Sequence, residues 1–109
     1  MPDKPLIWRG NSRRYVRSFP VEARRNAGFQ LRVVQRGFYP NDWKAMASVG
    51  PGVREIRIHT GLEHRVIYIA KFSEGTYVLH GFEKKSRKTA HKDVAIAKSR
   101  LQELVKARH

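Results

Sequence analysis

The sequence predicts an α+β domain, an antiparallel sheet with helices packed on one face, in the order β-αα-βββ-α. Three observations predict it. Apolar residues recur at three- and four-residue steps over two long segments, 20–38 and 90–108, which is the helical period. They alternate every second residue over 53–60, which is the strand period, and two further strand candidates follow by residue 84. Turns of a few residues, each containing glycine, join those three segments, so they form an antiparallel meander. Such a meander, with helices before and after it, is the α+β pattern.

Residues 5–9, Pro-Leu-Ile-Trp-Arg, read as a short first strand ended by Gly10-Asn11-Ser12. A brief helical turn is expected over 13–18. Pro20 then suits the first position of a longer helix, with Glu22 favourable near its positive end. Ala23, Ala27, Leu31, Val34 and Phe38 make its apolar stripe, Arg25, Arg32 and Arg36 lie on another face, and Gly37 is its C-terminal cap. The segment 39–52, with two Pro and two Gly beside Trp43 and Met46, reads as an ordered loop packed by its own apolar residues.

The meander follows. Over 53–60, Ile56 and Ile58 point one way and Glu55, Arg57 and His59 the other. Gly61-Leu62 turns the chain into 64–72, where Arg65, Ile67, Ile69 and Lys71 oppose Val66, Tyr68, Ala70 and Phe72. Ser73-Glu74-Gly75 leads into 76–84. The last helix runs from about Ala90 to Arg108, with Thr89 as N-cap, Asp93 near its positive end, and Val94, Ala97, Leu101 and Leu104 as its stripe. No internal repeat or low-complexity segment interrupts this order, so residues 1–109 are expected to form a single domain.

Charge narrows the function. The chain carries 23 Lys and Arg against 9 Asp and Glu, a net charge of +14, spread through both halves. That excess calls for a polyanion or an acidic partner. With no cysteine, disulfides, thiolate metal sites and cysteine nucleophiles are excluded. The longest apolar run, Val66–Ala70, falls far short of the roughly 18 residues of a membrane span. The first ten residues lack the apolar core of a signal peptide, so a cytoplasmic protein is expected. The acids are scattered, no His pair has helical metal-ligand spacing, and no phosphate-binding glycine loop is present. No metal or other cofactor is therefore expected.

What remains is a set of cations on adjacent strands. Arg57, Arg65 and Lys71 are expected on one open sheet face, bordered by Lys84, Lys85, Arg87, Lys88 and Lys92 within nine residues that contain no acid. Such a cluster can cleave RNA without metal: the 2′-hydroxyl attacks the adjacent phosphate and cationic donors hold the developing charge. His59, His80 and His91 have the intrinsic pKa needed to move the protons. The candidate catalytic set is Arg57, Arg65, Lys84 and His80. The candidate RNA-binding set is Lys71, Lys85, Arg87, Lys88, His91 and Lys92.

Three runs carry a family likeness: Gly52-Val-Arg-Glu-Ile-Arg-Ile-His, His64-Arg-Val-Ile-Tyr-Ile-Ala-Lys-Phe, and Tyr77-Val-Leu-His-Gly-Phe-Glu-Lys-Lys-Ser-Arg-Lys-Thr. Together they resemble the RelE/ParE toxin superfamily, in particular its HigB-type and phage-derived branch. The resemblance implies a RelE-like fold and a toxin of a bacterial type II toxin–antitoxin system that cleaves mRNA on the ribosome. It also implies contact with rRNA, a cognate antitoxin that is a helix-turn-helix DNA-binding protein, and operator DNA bound only through that antitoxin. By position, Arg65 matches the family's strand arginine, with His64 where a Tyr is usual, and Arg57 matches a basic residue of the preceding strand. Lys84, Lys85, Arg87 and Lys88 match its basic turn. The family's C-terminal Tyr is absent, the last Tyr here being Tyr77. The superfamily also holds ParE-like toxins that bind DNA gyrase, and an inactive phage-derived nucleic-acid-binding protein is a further alternative.

Overall fold

A computed structural model describes residues 3–108. The elements are β1 (Leu6–Trp8), α1 (Ser12–Arg17), α2 (Val21–Gln35), β2 (Trp43–Ala45), β3 (Val53–His59), β4 (Glu63–Ile69), β5 (Thr76–Glu83) and α3 (His91–Arg108). The expected α+β class holds, and the expected helices and strands are present in the expected sequence with one strand more, β2. The single sheet has the order β1-β5-β4-β3-β2.

Three features of that sheet differ from the sequence reading. It is mixed, not antiparallel, because β1 pairs with β5 in parallel, Leu6 opposite Thr76 and Trp8 opposite Val78. Gly75 makes this pairing possible: a Cβ there would lie 2.7 Å from Ile7 and 2.9 Å from the Pro5 carbonyl oxygen. The expected loop 39–52 contains β2, a three-residue edge strand paired with β3, Trp43 opposite Ile56. It is exposed along its length and so leaves no apolar signature.

The helices cover both faces of the sheet, not one. On one face α1 and α2 bury Val16, Phe19, Ala23, Ala27, Leu31 and Val34 against Ile56, Ile58, Val66, Tyr68 and Val78. On the other, α3 buries Ala97, Leu101 and Leu104 against Val53, Ile67, Ile69, Tyr77, Leu79 and Phe82. The reason lies in β4, whose residues of both parities are apolar; such a strand is enclosed from two sides. The close seat of α1 is set by Gly81, where a Cβ would meet Val16 at 2.6 Å.

The helix ends shift slightly. Pro20 is the N-cap of α2 and not its first residue, Arg36 is the C-cap, and Gly37 follows in the left-handed region, φ +92°. Phe38 therefore lies past the helix, 67% exposed, and is not part of the stripe. Thr89 does not cap α3. Its hydroxyl donates to Glu55, and the Ala90 carbonyl accepts the N–H groups of Asp93 and Val94.

Candidate functional site

The site is built where β3 ends, β4 begins and β5 ends. Register places Arg57 opposite Arg65, and Arg65 opposite Phe82, all on the α3 face of the sheet. The segment from Lys84 to Ala90 crosses this end of the sheet before α3 begins. It enters through the Lys84 N–H, which bonds the Glu63 carbonyl at 2.7 Å.

Two cavities flank Lys84, which borders both. One, about 450 Å³, has Tyr15, His80, Asp93, Lys85 and Lys92 in its wall. The other, about 420 Å³, has Lys44, Glu55, Arg57, Arg87 and Lys88. Of the cations expected here, Arg57, Lys84, Lys85, Arg87, Lys88 and Lys92 are thus brought together.

The carboxylates in these walls are not all free to neutralise them. Asp93 is buried and its Oδ1 lies 2.8 Å from His80 Nε2. Glu55, 1% exposed, accepts the Thr89 hydroxyl at 2.7 Å and faces Arg65 Nε at 3.7 Å. These inward ties leave a cationic rim above internally satisfied acids. Glu83, exposed at the end of β5, is the further acid of the first cavity. The Thr89–Glu55 bond also fastens the basic turn to β3.

His80 is stacked on Phe82 at 5.2 Å and meets the edge of Tyr15 at 5.7 Å. Burial pushes its pKa down, and the hydrogen bond to Asp93 only partly opposes that. The lowered pKa favours the neutral ring, with Nε2–H donating to the carboxylate; Nδ1 is buried and has no hydrogen-bond partner among the described residues. A neutral imidazole held by a carboxylate through one nitrogen can accept a proton at the other, which here lies buried behind the wall of the first cavity.

Three expected site residues lie elsewhere. Arg65 does not stand on an open face: it is 4% exposed, with Nη2 3.0 Å from Glu63 and Nη1 donating to the His64 carbonyl at 2.9 Å. A central strand enclosed on both faces leaves its arginine no solvent, so it must be paired. Lys71 is exposed beyond the other end of β4, packed over Gly52 and 5.5 Å from the Phe72 ring. Strand geometry puts it roughly 20 Å from Arg65 along the chain direction. His91 is exposed at the first residue of α3 and lines neither cavity.

His59 also stands apart from the clefts, its Nε2 2.6 Å from Asp42 and its Nδ1 2.7 Å from Glu63. The Asp42 hydrogen bond, then that of Glu63, raises its pKa. His64 is buried against Phe19 and its pKa is lowered by that burial. Sequence reading missed the roles of Glu55, Tyr15 and Lys44, and saw Asp93 only as a helix-dipole partner. A buried glutamate on an alternating strand carries no local mark; its partners are 10 and 34 residues away.

Among the described residues no group of three or more His, Asp or Glu side chains is arranged to hold a metal ion, and no helix is long and apolar enough to cross a membrane. A family model described as "Phage derived protein Gp49-like (DUF891)" matches residues 14–102. No curated protein matches the chain.

Proposed function

The chain belongs to the Gp49-like family of phage-derived proteins, a RelE/toxin-like family, and from that membership we propose that it is a HigB-type toxin of a type II toxin–antitoxin system. In this reading it is a metal-independent endoribonuclease that cleaves mRNA on the ribosome in the cytoplasm and so stops translation. The observation that carries it is the pair of cavities joined at Lys84, rimmed by cations and floored by the inward-tied acids Glu55 and Asp93.

In this mechanism the scissile phosphate sits at Lys84. His80, in the wall of the first cavity, accepts the 2′-hydroxyl proton at its buried Nδ1, which the substrate must reach, as the 2′-oxygen forms its bond to phosphorus and the bond to the 5′-oxygen breaks. The Lys84 ammonium donates the proton that the departing 5′-oxygen needs. Arg57 holds the charge that builds on the phosphoryl oxygens, a contribution of roughly 3–4 kcal/mol for a well-placed donor. Lys85, Arg87, Lys88 and Lys92 hold neighbouring phosphates. Arg65 acts from beneath as a positioning residue: with Glu55 it fixes the floor on which Thr89 anchors the turn.

The partners that follow are mRNA and rRNA, and an antitoxin of helix-turn-helix type that covers the cationic rim and carries the complex to operator DNA. Primer extension on translated mRNA after induction tests the activity. Codon-linked cuts are expected from the wild-type chain. Growth arrest with intact mRNA and a supercoiling defect would overturn the nuclease reading in favour of a gyrase target.

A further inference from the structure

On the opposite face of the sheet, at the β2 edge, a second surface has the chemistry of an RNA contact. Tyr39 and Trp43 are stacked, their ring centroids 5.1 Å apart and their planes within 13°. The Arg54 guanidinium carbon lies 4.6 Å from the Tyr39 centroid and 5.0 Å from that of Trp43. Both rings reach solvent, Tyr39 being 59% and Trp43 37% exposed. Tyr39 and Arg54 open onto a cavity of about 410 Å³ that Arg36 and Lys4 also line, and no carboxylate lines it among the described residues.

We propose that this aromatic platform binds unpaired bases of an RNA strand. A nucleobase presents a π-face to an exposed ring whatever its sequence, and the guanidinium over the two rings adds a cation for the phosphate. The cavity is complementary in charge to a polyanion: three cations border it and no acid does. Its position extends the clefts. Consecutive residues of β2 point to opposite faces, so Lys44 enters the wall beside Arg57 while Trp43 turns to the platform. A strand leaving the cleft past Lys44 reaches Trp43 by rounding one exposed edge strand. The choice of RNA over another polyanion rests on the nuclease reading above.

The test is binding of the purified full chain to 2′-O-methyl RNA of about 12 nucleotides, which lacks the attacking hydroxyl, and to an abasic strand of equal length. Replacing both rings by leucine (Tyr39→Leu, Trp43→Leu) keeps apolar bulk and removes the π-faces. Affinity for the base-bearing strand is expected to fall about tenfold or more, with affinity for the abasic strand unchanged. Tyr39→Phe and Trp43→Phe are expected to bind as wild type. An equal fall for both strands, or no fall for the base-bearing one, overturns the proposal. So does tighter binding of single-stranded DNA than of RNA. A chain that cuts no RNA yet shows the selective loss removes the nuclease reading and leaves the platform standing as a base-binding surface. A chain that cuts RNA without the selective loss removes the platform alone.

Discussion

The two ends of β4 both carry cations and differ in how those cations are partnered. At the far end Arg108 is clamped by Glu74, Nε to Oε2 at 2.6 Å, and lies over the Phe72 ring at 3.9 Å. Glu74 also accepts the Tyr77 hydroxyl, and its carboxyl is held down to about 2, first by Arg108. At the near end two acids turn inward, Glu55 to Arg65 and Thr89 and Asp93 to His80, with Glu83 left exposed, while Lys84, Arg87 and Lys88 face two clefts. Charge density alone does not make an anion site; the direction in which the neighbouring carboxylates are spent decides it.

The sharpest test of that contrast is stability. Glu55→Ala leaves Arg65 buried without its inner partner and frees Thr89, and is expected to destabilise the fold by about 3–5 kcal/mol in urea denaturation. Glu74→Ala, at an exposed pair, is expected to leave the unfolding midpoint nearly unchanged near neutral pH. A Glu55→Ala protein as stable as wild type would show that the inward network holds nothing together.

Activity should divide the two ends in the same way. Lys84→Ala is expected to lower RNA cleavage by about 100-fold or more while far-ultraviolet circular dichroism stays native. Lys71→Ala, at the far end, should leave the rate within about twofold. Comparable losses from the two substitutions would mean that the cations act only as a diffuse field. Raising salt separates these cases too, since phosphate contacts weaken steeply as counterions compete.

The smallest effect distinguishes two histidines. His80 has a depressed pKa, so the stability it contributes is complete above the ordinary value of 6.5 and is lost as pH falls through its folded pKa. His59 has a raised pKa, so its contribution is complete below 6.5 and is lost as pH rises through its folded pKa. Histidine proton NMR should therefore show the two rings titrating on opposite sides of 6.5. A single shared midpoint would remove the case for His80 as a neutral base at pH 7.

Much of this was legible in the chain. The α2 stripe of Ala23, Ala27, Leu31 and Val34 is buried as its spacing requires, and the basic segment from Lys84 does border the cleft end of the sheet. Arg65 was legible as an arginine on a strand, but not as a buried one. Whether a strand has one covered face or two depends on what packs above it, and α3 begins 26 residues later. Likewise Asp93 was visible at the start of a helix, whereas its bond to His80 needed α3 to lie across β5. Tyr39 and Trp43 looked like loop packing, and β2 has no apolar alternation to announce it.

The sequence by itself determined the α+β class, the order of the three helices and of every strand but β2, the +14 charge and the placing of a basic turn between the last strand and the last helix. These follow from periods of two and about 3.6 residues and from composition, which are local properties. The tertiary structure alone decided the parallel β1, the two covered sheet faces, the buried state of Arg65 and the inward turn of Glu55 and Asp93. Each of those is a pairing between residues distant in the chain, set by which surfaces must be removed from water together, and a local period carries no record of it.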